Sequence, residues 1–180
     1  MNKVILVCAL LFGNVADAQD GGPLPETQWT RAAHLWLARA MIAEAGWEAE
    51  RDHVAIAYVL ARRWRRIRQR FDAMRFVDVV RNYCAGLGDY KRSLTPRQRW
   101  VRTLGFMAIR PSGWPEGSSW QHHQRFWRAA LSRSDAWFRG MIEDPCRGRA
   151  LHWGGTIDSP HGRMTRVECG PTRNTFYGLR

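Results

Sequence analysis

The stretch from Thr30 to Gly46 constrains the fold most, because a helix built from it is apolar on nearly every side. At about 100° per residue, one face of that helix receives Ala33, Leu37, Ala40, Met41 and Glu44. The remaining surface is mostly apolar too, through Leu35, Trp36, Ile42 and Ala43. A helix that is apolar all round is buried among other elements. The sequence therefore predicts a central helix that Thr27 or Thr30 caps and Gly46 ends.

Four further helices are predicted around the central one. The second is the most clearly amphipathic, with an apolar stripe that keeps helical spacing over five turns and includes His53, Ile56, Leu60 and Trp64. We expect these four helices to begin at Asp52, Asp72, Thr95 and Ser119 and to end near Arg70, Tyr83, Leu104 and Met141. Beyond Asp144 and Pro145 the helical period is lost, and short strands are possible at 150–153 and 175–177. The predicted fold class is mainly α, with an irregular, partly β C-terminal segment.

The N-terminus has the pattern of an export signal. A basic start is followed by an apolar run from Val4 to Val15 and by the small-x-small triplet Ala16–Ala18. We therefore predict a signal peptide at 1–18, a flexible leader at 19–26 and one domain at 27–180. A lipid anchor at Cys8 is the alternative. The protein is expected to be secreted or periplasmic, without stable membrane insertion, because the apolar run is too short to span a bilayer.

Three cysteines remain after residue 18, and an oxidising compartment favours their pairing. We predict a disulfide between Cys146 and Cys169, because both lie in the irregular segment where few helical contacts hold the chain. Cys84 is then a lone thiol, interpreted as a small buried residue at the end of a helix rather than as a nucleophile.

Glu44 is the candidate catalytic residue. It lies on the inward face of the central helix, just before the glycine that ends it. Burial without a cationic partner raises the pKa of a carboxyl, and an acid that cleaves a glycosidic bond must hold its proton near neutral pH. The alternative is a glutamate that turns to solvent at the helix end or pairs with an arginine.

Three fragments resemble one known family. Residues 38–48 (ARAMIAEAGWE) with 54–60 (VAIAYVL) resemble the A-R-x-I/V-x-x-E-A-R-G-E and V-A-V/I-A-x-V patterns of the spore-cortex-lytic type of cell wall hydrolase. Residues 144–153 resemble that family's D-P-T-x-G-A-x-x-F/Y, and residues 174–177 its N-x-F/V-F/Y tail. The sequence departs from the family at Gly46–Trp47, at Ala61 and at His152–Trp153. The resemblance implies a single lysozyme-like helical domain that acts on peptidoglycan, with Glu44 as the catalytic glutamate.

The resemblance also frames the mechanism and the substrate contacts. Glu48 would lie one turn above Glu44 if the helix continued, but Gly46 indicates that it does not. With no secure second carboxylate, a lytic transglycosylase that uses one glutamate as acid and then as base is favoured over a hydrolysing muramidase. The substrate-binding residues are predicted to be Trp47, Glu48, His152, Trp153, Asn174 and Tyr177. The role of Asn174 and Tyr177, hydrogen bonding to N-acetyl groups, is implied by the resemblance alone.

Charge and histidines supply two rival hypotheses. The net charge of +12 comes almost wholly from arginine and favours polyanions. One rival is thus a non-catalytic polyanion binder built on 62–70, although we interpret those arginines as a solvated face. The other is a zinc amidase or endopeptidase with His152, Asp158 and His161 as ligands. We expect neither metal nor cofactor, a monomer, and as partners peptidoglycan glycan strands and anionic wall polymers rather than nucleic acid.

Overall fold

The computed structural model describes residues 24–88, 93–154 and 164–179. Its five helices are α1 (Arg31–Ala45), α2 (Glu50–Arg68), α3 (Phe76–Tyr83), α4 (Pro96–Thr103) and α5 (Trp120–Phe138). Its three strands are β1 (His152–Gly154), β2 (Met164–Val167) and β3 (Thr175–Leu179). Single 3₁₀ turns span Glu26–Gln28 and Ala85–Leu87. The predicted fold class, mainly α with a partly β C-terminal segment, is confirmed. No helix in these ranges is both long and apolar enough to cross a bilayer.

Helix α1 is the central element, as its apolar surface predicts. It packs against α2, α3, α4 and α5, and Leu37, Met41 and Ile42 have no exposed surface. Thr30, rather than Thr27, is its cap: the hydroxyl accepts a hydrogen bond from the backbone N–H of Ala33 at 3.1 Å. The predicted stop at Gly46 is also correct, and Gly46 adopts a φ of 86° that other residues rarely reach.

Three predicted helix ends are wrong. Helix α2 begins at Glu50, so Asp52 lies inside its first turn, and its carboxylate binds the C-terminal segment instead of capping the helix. Helix α3 begins at Phe76 rather than at Asp72, and the backbone N–H of Phe76 donates to Gln28 instead of to a local cap. Helix α5 ends at Phe138, three residues before Met141. In each case the boundary is set by a contact or a turn that the spacing of apolar residues does not reveal.

The packed part of the chain starts earlier than the predicted leader allows. Leu24 is 2% exposed and belongs to the core. Its backbone carbonyl accepts a hydrogen bond from the indole N–H of Trp29 at 2.6 Å. The end of the segment assigned to a flexible leader therefore packs on the helices, whereas residues 1–23, which include the predicted signal peptide, lie outside the described residues.

The C-terminal segment forms an antiparallel sheet with β3 in the middle, in the order β1-β3-β2. His152 pairs with Tyr177 across β1 and β3, and Met164 pairs with Leu179 across β2 and β3. The sequence indicated β1 and β3 but missed β2, whose residues lack an alternating apolar pattern. The predicted disulfide is present, joining Cys146 to Cys169.

Two arginines of α2 attach this sheet to the helices. Arg62 donates to the Asp144 carboxylate and to the Ala150 carbonyl, both at 2.6 Å. Arg63 donates to the carbonyl of Leu151 at 3.1 Å. The interpretation of residues 62–70 as a solvated face is therefore wrong for its first two arginines, because the C-terminal segment covers them.

Candidate active site

Glu44 lies in the last turn of α1, and two N–H groups from distant parts of the chain donate to its carboxylate. Oε1 accepts from the backbone N–H of Gly86 at 2.6 Å, and Oε2 accepts from the indole N–H of Trp153 at 3.2 Å. Gly86 can approach this closely only because it lacks a side chain, since a Cβ there would lie 2.8 Å from the Ala43 carbonyl oxygen. The acid is thus held from two sides.

The surroundings of Glu44 favour its protonated form. Burial raises the pKa of Glu44, and the hydrogen bonds from Gly86 and Trp153 and the charge of Arg97 offset this only in part. Arg97 is held beside the helix end, where its guanidinium donates to the carbonyls of Ile42 at 3.1 Å and Ala43 at 3.3 Å. The carboxyl therefore keeps its proton to a higher pH than an exposed glutamate does.

The C-terminal segment reaches the same helix end through Asn174. The Asn174 side chain donates to the backbone carbonyl of Glu44 at a long 3.5 Å. The turn that carries Asn174 is fixed by Asp52, whose two carboxylate oxygens accept the backbone N–H groups of Arg173 at 3.0 Å and Asn174 at 2.7 Å. Asp52 is thus a positioning residue for this edge of the site.

His53 fixes the backbone just after the acid. One ring nitrogen, Nε2, lies 2.7 Å from the carbonyl oxygen of Gly46, and Nδ1 lies 2.9 Å from the guanidinium of Arg133. Because an arginine is only a donor, Nδ1 accepts and Nε2–H donates to Gly46, which describes a neutral ring. Burial lowers the pKa of His53 from 6.5 to about 4, which keeps the ring neutral. Nε2 thus holds the backbone turn at Gly46, and Arg133 holds the ring through Nδ1.

An aromatic groove opens on the far side of Gly46. Trp47 stacks on Trp100 with ring centres 5.6 Å apart and meets Trp114 and His123 at 5.9 and 4.8 Å. The groove has a volume of about 430 Å³. It is lined by Gly46, Trp47, Glu48, Arg97, Trp100, His122, His123, Phe126 and Arg173. Glu44 is not part of that lining, and Gly46 and Arg97 are the residues that connect the acid to the groove.

The structure divides the predicted substrate-binding residues into three groups. Trp47 and Glu48 line the groove, and Glu48 is exposed, with its carboxylate 3.6 Å from Arg173. Asn174 and Trp153 contact Glu44, but Trp153 is only 7% exposed, which puts its indole behind the acid rather than on the surface of a cleft.

The third group, His152 and Tyr177, lies on the sheet. The two rings face each other across β1 and β3, with centres 6.3 Å apart, and Nδ1 of His152 lies 2.6 Å from the Arg63 guanidinium. Tyr177 is 5% exposed. These two side chains therefore support the strand that carries Trp153.

Sequence reasoning missed several residues of the site: Gly86, Arg97, Asp52, His53 and Trp100. One signal was available for His53, because a histidine on the apolar face of an amphipathic helix needs hydrogen-bond partners once buried. Gly86 and Arg97 carried no such signal, since their place beside Glu44 depends on how α3 and α4 pack on α1.

Most of the proposed zinc site falls outside the described residues. Of the three, Asp158 and His161 lie outside the described residues, and Nδ1 of His152 is taken by Arg63. No group of three or more histidine, cysteine or acidic side chains with metal-binding geometry occurs in the ranges that the structure describes. Cys84 is confirmed as a free, fully buried thiol. Burial, with the charge of Glu44 adding to it, raises the pKa of Cys84, so it is not an activated nucleophile.

Comparisons of the chain with protein-family models, curated proteins and solved structures find no match.

Proposed function

We propose that this protein is a peptidoglycan-cleaving glycosidase of the lytic transglycosylase type, with Glu44 as its general acid and then its base. The observation that carries the proposal is the Glu44 carboxyl itself: it is partly buried at a helix end, its pKa is raised, and two N–H groups fix its oxygens. A positioned carboxyl that keeps its proton is what protonation of a glycosidic oxygen requires.

The proposed reaction uses both protonation states of Glu44. In the first step the protonated carboxyl donates to the glycosidic oxygen, the C1–O bond breaks, and the sugar becomes an oxocarbenium-like species. The N–H groups of Gly86 and Trp153 then stabilise the carboxylate that has formed. In the second step the sugar's own C6 hydroxyl attacks C1 and gives its proton to Glu44, which leaves a 1,6-anhydro sugar and regenerates the acid.

The placement of the nearby acidic residues favours this one-carboxylate mechanism. The positive φ of Gly46 ends α1, and beyond it Glu48 is exposed and faces Arg173 rather than Glu44. Asp52 is buried, and its carboxylate binds the backbone N–H groups of Arg173 and Asn174 in the C-terminal segment. Within the described residues, Arg97 is the charge that acts on Glu44, and no second carboxylate does so. A retaining hydrolase would need such a carboxylate about 5–5.5 Å away.

The aromatic groove is the proposed glycan-binding surface. Trp47 is partly exposed and rests on Trp100, which gives it a firm, flat face of the kind on which sugar rings stack. Arg97 and Arg173 on the groove wall offer hydrogen bonds to the acidic and carbonyl groups of peptidoglycan. A glycan lying on Trp47 would pass beside Gly46, two residues from the acid.

Two further features support action outside the cytoplasm. A disulfide such as Cys146–Cys169 persists in oxidising compartments, and residues 1–18 have the pattern of a signal peptide. The net charge of +12 suits adsorption to anionic wall polymers. We propose that the protein is exported and works on the wall.

The test compares Glu44 with an exposed glutamate that does not line the groove. Glu44→Gln keeps size and hydrogen bonding but removes the transferable proton, so release of soluble glycan from purified peptidoglycan should fall by about 10²–10⁴-fold. Glu26→Gln, the exposed control, should keep the wild-type rate within a few-fold. Circular dichroism of both variants verifies the fold. A folded Glu44→Gln variant that still clears the wall at the wild-type rate would refute the proposal, and a wild type that binds the wall without cleaving it would favour the non-catalytic polyanion binder.

A further inference from the structure

The segment between α4 and α5 presents three large apolar side chains to solvent within four residues. Phe106, Met107 and Ile109 are 37%, 70% and 63% exposed. Clustered exposure of this kind is uncommon on a soluble protein and marks an interaction surface. We call residues 105–110 the apolar loop.

The backbone of the apolar loop is held rigidly while its side chains point outward. The indole N–H of the buried Trp127 donates to the Gly105 carbonyl at 2.7 Å, and that of Trp120 donates to the Ala108 carbonyl at 3.4 Å. Just before the loop, the guanidinium of Arg39 donates twice to the Leu104 carbonyl, at 2.8 and 2.6 Å. Three buried donors thus fix the loop from beneath, so the exposure of its tip is built into the fold and is not a sign of poor packing.

The surroundings of the loop are strongly basic. The Arg31 guanidinium lies 4.6 Å from the centre of the Phe106 ring, and Arg110, at the end of the loop, is exposed. From residue 97 to residue 128 the sequence has six arginines and a single acidic residue, Glu116. The partner of this surface must therefore accept apolar side chains and carry negative charge next to them.

We propose that the apolar loop docks the protein on the surface of an anionic lipid bilayer. Phe106, Met107 and Ile109 enter the boundary between headgroups and acyl chains, and Arg31 and Arg110 bind lipid phosphates at the rim. A protein partner fits less well, because a stable protein interface buries about 800 Å² on each side and needs a complementary shape, whereas three side chains on one loop suffice for an interfacial anchor. Such docking is peripheral and needs no membrane-spanning helix.

The test uses matched variants of the full chain, so that any contribution of the apolar residues 4–15 is the same in all of them. Met107→Ser combined with Ile109→Ser should lower partitioning onto phosphatidylglycerol vesicles at least tenfold, because two large apolar side chains no longer leave water. Met141→Ser, at a position 73% exposed elsewhere on the surface, should leave partitioning unchanged. Vesicles of phosphatidylcholine alone should bind the wild type more weakly, since the arginines then find no net negative charge.

A local probe separates loop insertion from attachment by other segments. In a Cys8→Ser background, Met107→Cys can be labelled selectively with a polarity-sensitive fluorophore, because Cys84 is fully buried and Cys146 and Cys169 form a disulfide. Its emission should shift to the blue when anionic vesicles are added, whereas the same label on Met141→Cys should not respond. Three results would each overturn the proposal. The label at position 107 could show no blue shift with vesicles, or the serine variants could partition as the wild type does. The emission could also shift to the blue when the protein concentration is raised without lipid.

Discussion

Glu44 and His53, two ionisable groups removed largely from solvent, lie on either side of Gly46, and burial shifts their pKa values in opposite directions, each toward the uncharged form. Burial raises the pKa of the Glu44 acid and lowers that of the His53 base to about 4. The two differ in how their polar atoms are used. Each nitrogen of the imidazole has its one partner, Gly46 or Arg133. Each carboxylate oxygen of Glu44 accepts one N–H and still has a lone pair to spare.

This difference separates positioning from chemistry. A neutral histidine with both nitrogens occupied has no proton or lone pair to offer a substrate, so His53 acts by holding the Gly46 turn in place. A protonated carboxyl fixed by donors on its two oxygens can still transfer its proton. Burial therefore makes His53 a structural support and prepares Glu44 as an acid.

The largest expected effect on stability comes from His53. In the unfolded chain its imidazole takes up a proton near pH 6.5, whereas in the folded protein it stays neutral down to about pH 4. Between these values the unfolded state binds more protons, so stability should fall as pH falls, by about 3 kcal/mol in all. Urea unfolding of the wild type and of His53→Gln at several pH values measures this, and the variant should lose the part of the slope that His53 contributes.

The control for His53 is the exposed His122, since His122→Gln should keep the wild-type slope. If His53→Gln and the wild type lose stability in parallel from pH 6.5 to 4, His53 is not held neutral by the fold.

Removal of the disulfide should have the next largest effect. It should disturb the surroundings of Glu44 more than those of His53. The bridge closes a loop with a sequence separation of 23, whose opening costs about 3 kcal/mol in the chain-entropy model. That loop carries Trp153, a donor to Glu44, whereas Gly46 and Arg133, the hydrogen-bond partners of His53, lie outside it. Cys146→Ala with Cys169→Ala should therefore lower both stability and glycan release and leave the pH slope of His53 unchanged.

Cys84→Ala is the matched cysteine control, because it leaves the bridge intact and removes only a buried sulfur. A double variant that retains full activity would show that the bridge does not position Trp153.

The smallest expected effect is on the stability of Glu44→Gln. As pH rises above about 4, Glu44 ionises more readily in the unfolded chain than in the folded protein, because folding raises its pKa. The wild type therefore loses stability relative to Glu44→Gln as pH rises, and the difference between them becomes independent of pH below about 4. Unfolding free energies from pH 4 to 7 measure this, with Glu48→Gln as a control that should follow the wild type. A difference that stays constant with pH would indicate that the folded carboxyl ionises like an exposed one.

The sequence predicted those features that depend on local chemistry. The apolar surface of residues 31–45 gave α1 its central place, and Thr95 caps α4 with the reciprocal hydrogen bonds expected of a capping box. The pairing of Cys146 with Cys169 was also predictable, because both cysteines lie in the irregular C-terminal segment, where few helical contacts hold the chain. Glu44 could be singled out because a carboxyl on an inward apolar face is unusual.

The rest of the site depends on contacts between residues far apart in the chain. Gly86 lies 42 residues from Glu44, and Trp153 lies 109 residues away. No period or spacing indicates that either donates to the acid. For the same reason Asp52 was interpreted as a helix cap, because an aspartate before an apolar run gives no sign that its partners are the N–H groups of Arg173 and Asn174.

Mass spectrometry of purified peptidoglycan digested by the wild type and by Glu44→Gln tests the central claim most directly. In the proposed mechanism a single glutamate acts as acid and base, and the sugar's own C6 hydroxyl attacks C1. The glycan strands should therefore gain 1,6-anhydro ends with the wild type and not with the variant. New reducing ends would show that water is the acceptor and would contradict the transglycosylase mechanism. Glycan strands left intact by the wild type, with or without cut peptides, would contradict the role of Glu44 altogether.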